Sequence, residues 1–399
     1  MYFEQPLHNY FGFLRNKNIG TLYLTVSLLS FGDGLISVFV PVYLWQSGFA
    51  LWQILFFYFL YSLYSSLLAV LLIPFLRYTG DKLLIFLSIP PLILYYLGLD
   101  LLAGANFLFW ILPALLALRH LLFNLGYNLG FATSADEAAV GKESGISVLV
   151  QSASPMAAPI LGGFLISAFG FGNSFLVGSA ILVLALFPLL VIPNKKVSKN
   201  LRFRDMLNYL KNPEIKKFNL SEVALAIDPL TETVVWALFM FLLLGTIRDL
   251  GTVLSVGLLA AAVVSYLVGV AVDRGYQKQT MRISTWGVAL MWFLRPFFLA
   301  IPLVAGNHVL RKTFRSSMLT AWSAEFYDIA RHVRHLSLFL LSKEFFINLV
   351  GAFYSGILVL AALFFDNIGV MQFSFIAAGM FTLFALYANR QKQAKLIAS

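Results

Sequence analysis

The sequence predicts an all-α polytopic membrane protein, with twelve transmembrane helices in two pseudo-symmetric six-helix bundles. Three observations carry that expectation. First, 60% of the 399 residues are hydrophobic and only 12% are charged, whereas soluble domains carry about 25% charge. Second, apolar runs of the length that crosses a bilayer, about 20 residues, recur along the chain. Third, one long polar stretch, Asn194 to Lys217, stands midway. With 39 Phe and 17 Tyr, a soluble fold could not hide this much apolar surface behind a polar exterior. Disordered, collagenous and disulfide-stapled classes are excluded by the same composition. Cysteine is absent, so no thiolate metal site and no Cys nucleophile is expected.

Taken in order, the spans are expected near 19–45, 52–75, 82–99, 106–131, 146–169, 173–193, 218–245, 251–272, 280–300, 304–327, 337–363 and 370–388. Each is long and unbroken, which favours helices over the short alternating strands of a barrel. Span 10 fits least well, because it holds Arg311, Lys312 and Arg315. The first 18 residues carry Glu4, Arg15 and Lys17 and run directly into span 1, so no cleaved signal peptide is expected. The organisation is therefore a first bundle over 1–193, a basic cytoplasmic linker over 194–217, and a second bundle with a short tail over 218–399.

Charge sets the orientation. Net charge is +10, from 28 Lys and Arg against 18 Asp and Glu. In a soluble protein this would suggest nucleic acid, but here it reads as topogenic charge. With both termini inside, 21 basic residues fall on the cytoplasmic side, eight of them in the linker. One, Arg248, falls outside, and six lie within spans. That asymmetry is the positive-inside rule, and it places a multi-pass protein in a cytoplasmic membrane.

The halves resemble each other. FLRYTGDK follows span 2, and VAVDRGYQK follows span 8. Glu137-Ala138-Ala139 follows span 4, and Asp328-Ile329-Ala330 follows span 10. Such repeats are typical of secondary transporters with a midplane site. This layout resembles the major facilitator superfamily over nearly the whole chain. Gly269, Asp273, Arg274 and Gly275, followed by Lys278 and Arg282, match the superfamily's loop motif, G-x-x-x-D-R-x-G plus basic residues, with one glycine a place early. The first-half copy is degenerate: Arg77 stands in place of Asp and Tyr78 in place of Arg. The resemblance implies a cytoplasmic gate in which Arg77 and Arg274 pair with Asp136, Glu137 or Asp328. Plain topogenic charge is the alternative reading. Ser154 to Gly163 in span 5 reads SPMAAPILGG and is similar to the superfamily's antiporter motif, with two glycines replaced. It implies export against protons. Generic packing by Pro159, Gly162 and Gly163 is the competing reading.

Charges inside spans cost about 2.5–3.5 kcal/mol each on insertion scales and therefore need a reason. Asp33 lies mid-span 1, and Arg119 with His120 mid-span 4. Asp228 and Glu232 lie one turn apart in span 7, as do Arg311 and Arg315 in span 10. The resemblance places spans 1, 4, 7 and 10 around a central cavity, so acids and bases meet there at matching depth. His120, Asn124 and Asn128 share one face of span 4, and Glu344 and Asn348 share one in span 11. Gln151 in span 5 also belongs to the expected solute-binding set with Arg119, Arg311 and Arg315. Asp33, Asp228 and Glu232 are the candidate proton carriers, although Asp33 could instead form a permanent pair with Arg119 or Arg315. Pro229 could mark a broken helix. The resemblance puts span 9 outside the cavity, which makes Arg295 a structural or snorkelling residue.

The expected function is secondary active transport of a small anionic or zwitterionic solute by alternating access. Proton coupling and export are favoured, and the chain is expected to act as a monomer without nucleic acid. An arginine keeps a neighbouring carboxylate charged; when solute takes the arginine, the acid can take a proton. No phosphate loop, metal-ligand spacing or nucleophile motif is visible, so no cofactor, metal or catalytic residue is expected. A membrane scaffold or receptor, a lipid flippase, and an intramembrane enzyme built on Asp33 and Asp228 are the alternatives.

Overall fold

The computed structural model describes residues 17–76, 78–102, 104–134, 156–189, 202–333 and 335–390. These residues are nearly all helical. Among them, nine helices are long and apolar enough to cross a membrane. One of the nine, over 158–189, holds two spans joined at Gly170, whose φ of 80° breaks the helix between spans 5 and 6. Spans 9 (Gln277–Leu294) and 10 (Ile301–His332) fall outside the nine. Span 10 is nevertheless an unbroken helix of 32 residues, because its charges find partners inside the protein. The twelve-span arrangement is therefore present.

Span 1 is broken where the site lies. Helix Lys17–Gly34 ends one residue after Asp33, a short 3-10 turn covers Ser37–Phe39, and helix Val40–Gln46 follows with Pro41 in its first turn. Glycine and proline make this break natural: one ends the helix, and the other starts the next helix without needing an N–H partner. Span 7 is also irregular. Helix Pro213–Leu230 passes Pro229, widens into a π turn over Thr231–Trp236, and resumes as Ala237–Leu244. Proline removes one backbone donor, and π turns gather at functional positions. Span 7 thus begins inside the stretch read as linker. That stretch also holds helix Phe203–Lys211, anchored by buried Met206 and by Tyr209, whose hydroxyl accepts from the His335 backbone N–H at 2.9 Å.

The halves meet along two helix pairs. Span 2 (Leu51–Leu71) packs on span 11 (Leu336–Phe364), and span 5 packs on span 8 (Ile247–Ala271). Small residues permit the second contact. A Cβ on Gly251 would lie 2.3 Å from the Pro159 carbonyl oxygen, and one on Gly163 would lie 2.9 Å from that of Ile247. Gly162 presses on the break in span 1, where a Cβ would come 2.0 Å from the Leu35 oxygen. Pro159, Gly162 and Gly163 therefore have a packing task in this conformation.

Gly162→Ala is expected to lower stability by about 1–3 kcal/mol, since backbone must shift to admit the methyl. Gly306→Ala, in open space within span 10, is expected to raise it by about 0.5–1 kcal/mol. Thermal unfolding of both variants in one detergent checks the pair.

Candidate functional site

Two sets of buried charges lie at the centre of the protein, and they differ in kind. The first belongs to the first half. Asp33 stands at the end of the broken span 1 helix, and Arg119 stands mid-helix in span 4 (Leu108–Ser134). Arg119 Nη2 donates to Asp33 Oδ2 at 2.9 Å, and the Tyr96 hydroxyl donates to Oδ1. Asp33 keeps 23% of its side-chain surface exposed and Arg119 keeps 11%, so the pair is reachable.

What reaches it is a cavity of about 370 Å³. Asp33, Ser37, Tyr58, Tyr61, Tyr96, Arg119 and His120 line it from the first half. Pro229, Thr233, Asn348 and Gly351 line it from the second. A cavity of this size suits a small metabolite, with apolar walls and a few convergent polar groups. His120 packs edge-on against Tyr61, with ring centroids 5.9 Å apart.

The second set belongs to the second half, and its two carboxylates are closed in, with Asp228 2% and Glu232 8% exposed. Asp228 accepts from Arg311 and Arg315 of span 10 at 2.5 Å each, and from the Trp292 indole at 2.8 Å. Glu232, one turn on, meets Arg295 and Arg311 at 2.9 Å and Lys312 at 3.4 Å. The Arg295 guanidinium lies 3.6 Å from the Trp236 ring centroid and 4.0 Å from that of Trp292. Both Arg295 and His308 are fully buried. The sequence spacing explains the convergence: 308, 311, 312 and 315 share one face of span 10. Gly257 of span 8 makes room for that face, since a Cβ there would lie 2.6 Å from the His308 ring. Four cations here face two carboxylates.

The remaining expected site residues fall between the halves, toward the basic-loop end. Asn124 Nδ2 lies 3.4 Å from both Glu344 carboxylate oxygens, and Lys343 reaches Glu344 at 3.2 Å. The Tyr327 hydroxyl donates to Asn128 Oδ1 at 2.8 Å, and its ring centroid lies 4.3 Å from that of Phe131. Asn348 donates to the Glu344 backbone carbonyl and also lines the cavity. Gln151, Arg77, Asp136 and Glu137 lie outside the described residues, as does the Asp273 side chain. Gly269 is buried in span 8, while Arg274 and Asp328 are exposed at the basic-loop end. The structure thus brings Asp33, Arg119, His120 and Asn348 to one cavity. It places Asp228, Glu232, Arg311 and Arg315 in the closed cluster.

Several residues escaped the sequence reading. Tyr58, Tyr61 and Tyr96 are unremarkable among so many tyrosines, although 58, 61 and 62 share a helical face. Lys312 and His308 carried a findable signal in their spacing to Arg311 and Arg315. Trp292 precedes Arg295 by one turn. Glu222 of span 7 is fully buried, and neither of its carboxyl oxygens has a hydrogen-bond partner among the described residues.

Comparison with known structures agrees with this architecture. The chain is similar to the human organic anion transporter MFSD10 (TETRAN), with a TM-score of 0.65 at 12% identity, over 94% of this chain and 99% of that one. It is similar to the E. coli fucose:proton symporter FucP, with a TM-score of 0.66 at 13% identity, over 94% and 98%. No family model and no curated protein sequence matches. The fold is the one that these two transporters have, a multi-pass helical architecture.

Removing one partner from a buried ion pair strands the other charge, at about 3–5 kcal/mol. Asp228→Asn takes the carboxylate from Arg315 and leaves Arg311 with Glu232 alone, and is expected to lose stability on that scale. Asp33→Asn, at a partly exposed pair, is expected to lose about 1 kcal/mol or less. Unfolding midpoints of the two purified variants check the order.

Proposed function

We propose that this protein is a secondary active transporter that moves a small organic anion or zwitterion by alternating access, coupled to protons. The observation that carries the proposal is the Asp33–Arg119 pair, exposed to a cavity that both halves line. A solute carboxylate competes with Asp33 for the Arg119 fork, whose planar donors suit bidentate capture. With Arg119 engaged, Asp33 is free to take up a proton. When solute leaves, the pair re-forms and the proton is released. Solute and proton movement are then linked through one guanidinium.

Supporting the anionic class, the closed cluster places two more cations than carboxylates beside the cavity, and such a field draws anions. MFSD10 carries organic anions by its printed description, and FucP couples fucose to protons. In this reading residues 1–193 and 218–399 are the two moving bundles, joined by the 194–217 linker. Contacts between them lie on both sides of the cavity. Tyr327 meets Asn128 and Phe131 toward the basic loops. At the other end Val40–Gln46 packs on Ala237–Leu244. Opening one side while holding the other is the required motion. The proposed setting is a cytoplasmic membrane with both termini inside and a monomer as the working unit.

The test is reconstitution into vesicles with a trapped pH dye, challenged with small carboxylates, amino acids and sugars. At least one carboxylate or amino acid is expected to move protons with the wild type. Asp33→Asn is expected to abolish that proton movement while still exchanging labelled solute. Unchanged solute-dependent proton movement in Asp33→Asn contradicts the proposal.

A further inference from the structure

Asp33 lies between two cavities. Besides the central one, it lines a second space of about 230 Å³ between the halves, formed by spans 1, 5, 8 and 10. Across that space stands Lys312. Within its own cluster Lys312 is the loosest cation. Glu232 holds it at 3.4 Å but holds Arg295 and Arg311 at 2.9 Å. Its side chain is 23% exposed, against 0% for Arg295 and 1% for Arg311. The cluster also has cations to spare. Asp228 and Glu232 stay outnumbered by Arg295, Arg311 and Arg315 when Lys312 leaves. On the other side, Asp33 has one cationic partner, Arg119, and one hydroxyl donor, Tyr96.

We propose that Lys312 is the alternate partner of Asp33, closing the side cavity between the two halves when Arg119 is drawn away into the central cavity. This inference rests on the transport reading and names the positioning residue that converts solute capture into bundle movement. When Arg119 turns to a solute, a carboxylate left alone in a low-dielectric space is attracted to the cation across the side cavity, Lys312, which Glu232 holds only at 3.4 Å. That cation belongs to the other half, so the attraction draws span 1 toward span 10. Leu254 and Leu258 of span 8, Pro159 of span 5 and Ser30 of span 1 line the space that would shrink. Proton uptake by Asp33 ends the attraction, and Lys312 returns to Glu232. The charged groups facing Asp33 are then Arg119 from span 4 and Lys312 from span 10, with Tyr61 from span 2, Tyr95 and Tyr96 from span 3 and His120 from span 4 as the titratable neighbours.

The chain has no cysteine, so a single introduced thiol reports without background. Leu258→Cys places it in the side cavity, and the rate of modification by a small methanethiosulfonate reads whether the cavity is open. Arg119→Gln mimics withdrawal of the guanidinium without any solute. The expected result is a fall in labelling rate of about tenfold in Arg119→Gln, the population change of a shift near 1.4 kcal/mol. Adding Lys312→Met is expected to restore the rate, and adding Lys312→Arg is expected to leave it low. Leu254→Cys, one turn away, repeats the measurement at a second position. Should Arg119→Gln fail to fold, Asp33→Lys combined with Lys312→Asp replaces it, and slow labelling in the pair with fast labelling in Asp33→Lys alone is expected. An unchanged rate in Arg119→Gln, or a fall that persists with Lys312→Met, overturns the inference. No solute or gradient enters this measurement. Closure in a protein that carries nothing would therefore refute transport alone, and transport without closure would refute this switch alone.

Discussion

Asp228 and Glu232 share one dry site in the second half with Arg295, Arg311, Lys312 and Arg315, and neither sign is tolerable there without the other. Each ion taken out of water costs several kcal/mol unless its partners are close and well aimed. Much of the second half is arranged around that requirement. Pro229 and the π turn after it set the spacing of the two acids. The span 10 face at 308, 311, 312 and 315 supplies the bases. Trp236 and Trp292 sandwich Arg295 and give its guanidinium two ring faces in place of water. Gly257 gives span 8 close access to the same face. A helix with three cations at its centre stays continuous because two carboxylates partner all three, and the cluster as a whole keeps an excess of positive charge.

The first half solves a smaller problem in a looser way. Asp33 and Arg119 satisfy each other, yet both keep surface toward an open cavity. The two carboxylates of the cluster resist change, because each is almost fully buried and depends on its arginines. An exposed pair is exchangeable, because a solute or a proton can replace either member. In the proposed cycle this contrast divides the labour: the second half supplies a positively biased wall, and the first half supplies the contact that responds. Lys312 sits at the boundary, attached to the rigid set but facing the responsive one.

Much of this was legible in the sequence, and the reasons are physical. Apolar runs of bilayer length mark most of the helices directly, whereas spans 9 and 10 are less apolar and show as helices through their length and repeat position. Span 10, the least apolar on the expected map, proved to be a continuous helix for the reason its charges imply. The four-residue spacing of Asp228 with Glu232, and of Arg311 with Arg315, was readable as shared faces. Which acid faces which base was not, because that depends on helix rotation, which spacing alone does not fix. Arg311 and Arg315 were therefore assigned to solute, whereas the structure pairs them with Asp228. The tyrosines of the cavity were hidden by abundance: 17 are spread through the chain, and only the fold selects Tyr58, Tyr61 and Tyr96. Arg295 was expected to be structural from its place in span 9, and it lies in the closed cluster.

In the proposed cycle two bundles move about a midplane site, governed by the exchangeable pair rather than the cluster around Asp228 and Glu232. Spin-label distances test it most directly, since the cysteine-free chain accepts labels in pairs. One pair, Tyr78→Cys with Gln279→Cys, spans the halves at the basic-loop end. Another, Ser47→Cys with Asn367→Cys, spans them at the opposite end. Two distance populations are expected at each end. Arg119→Gln should shift them reciprocally, one end widening as the other narrows. A single distance at both ends, unchanged by Arg119→Gln, would contradict it.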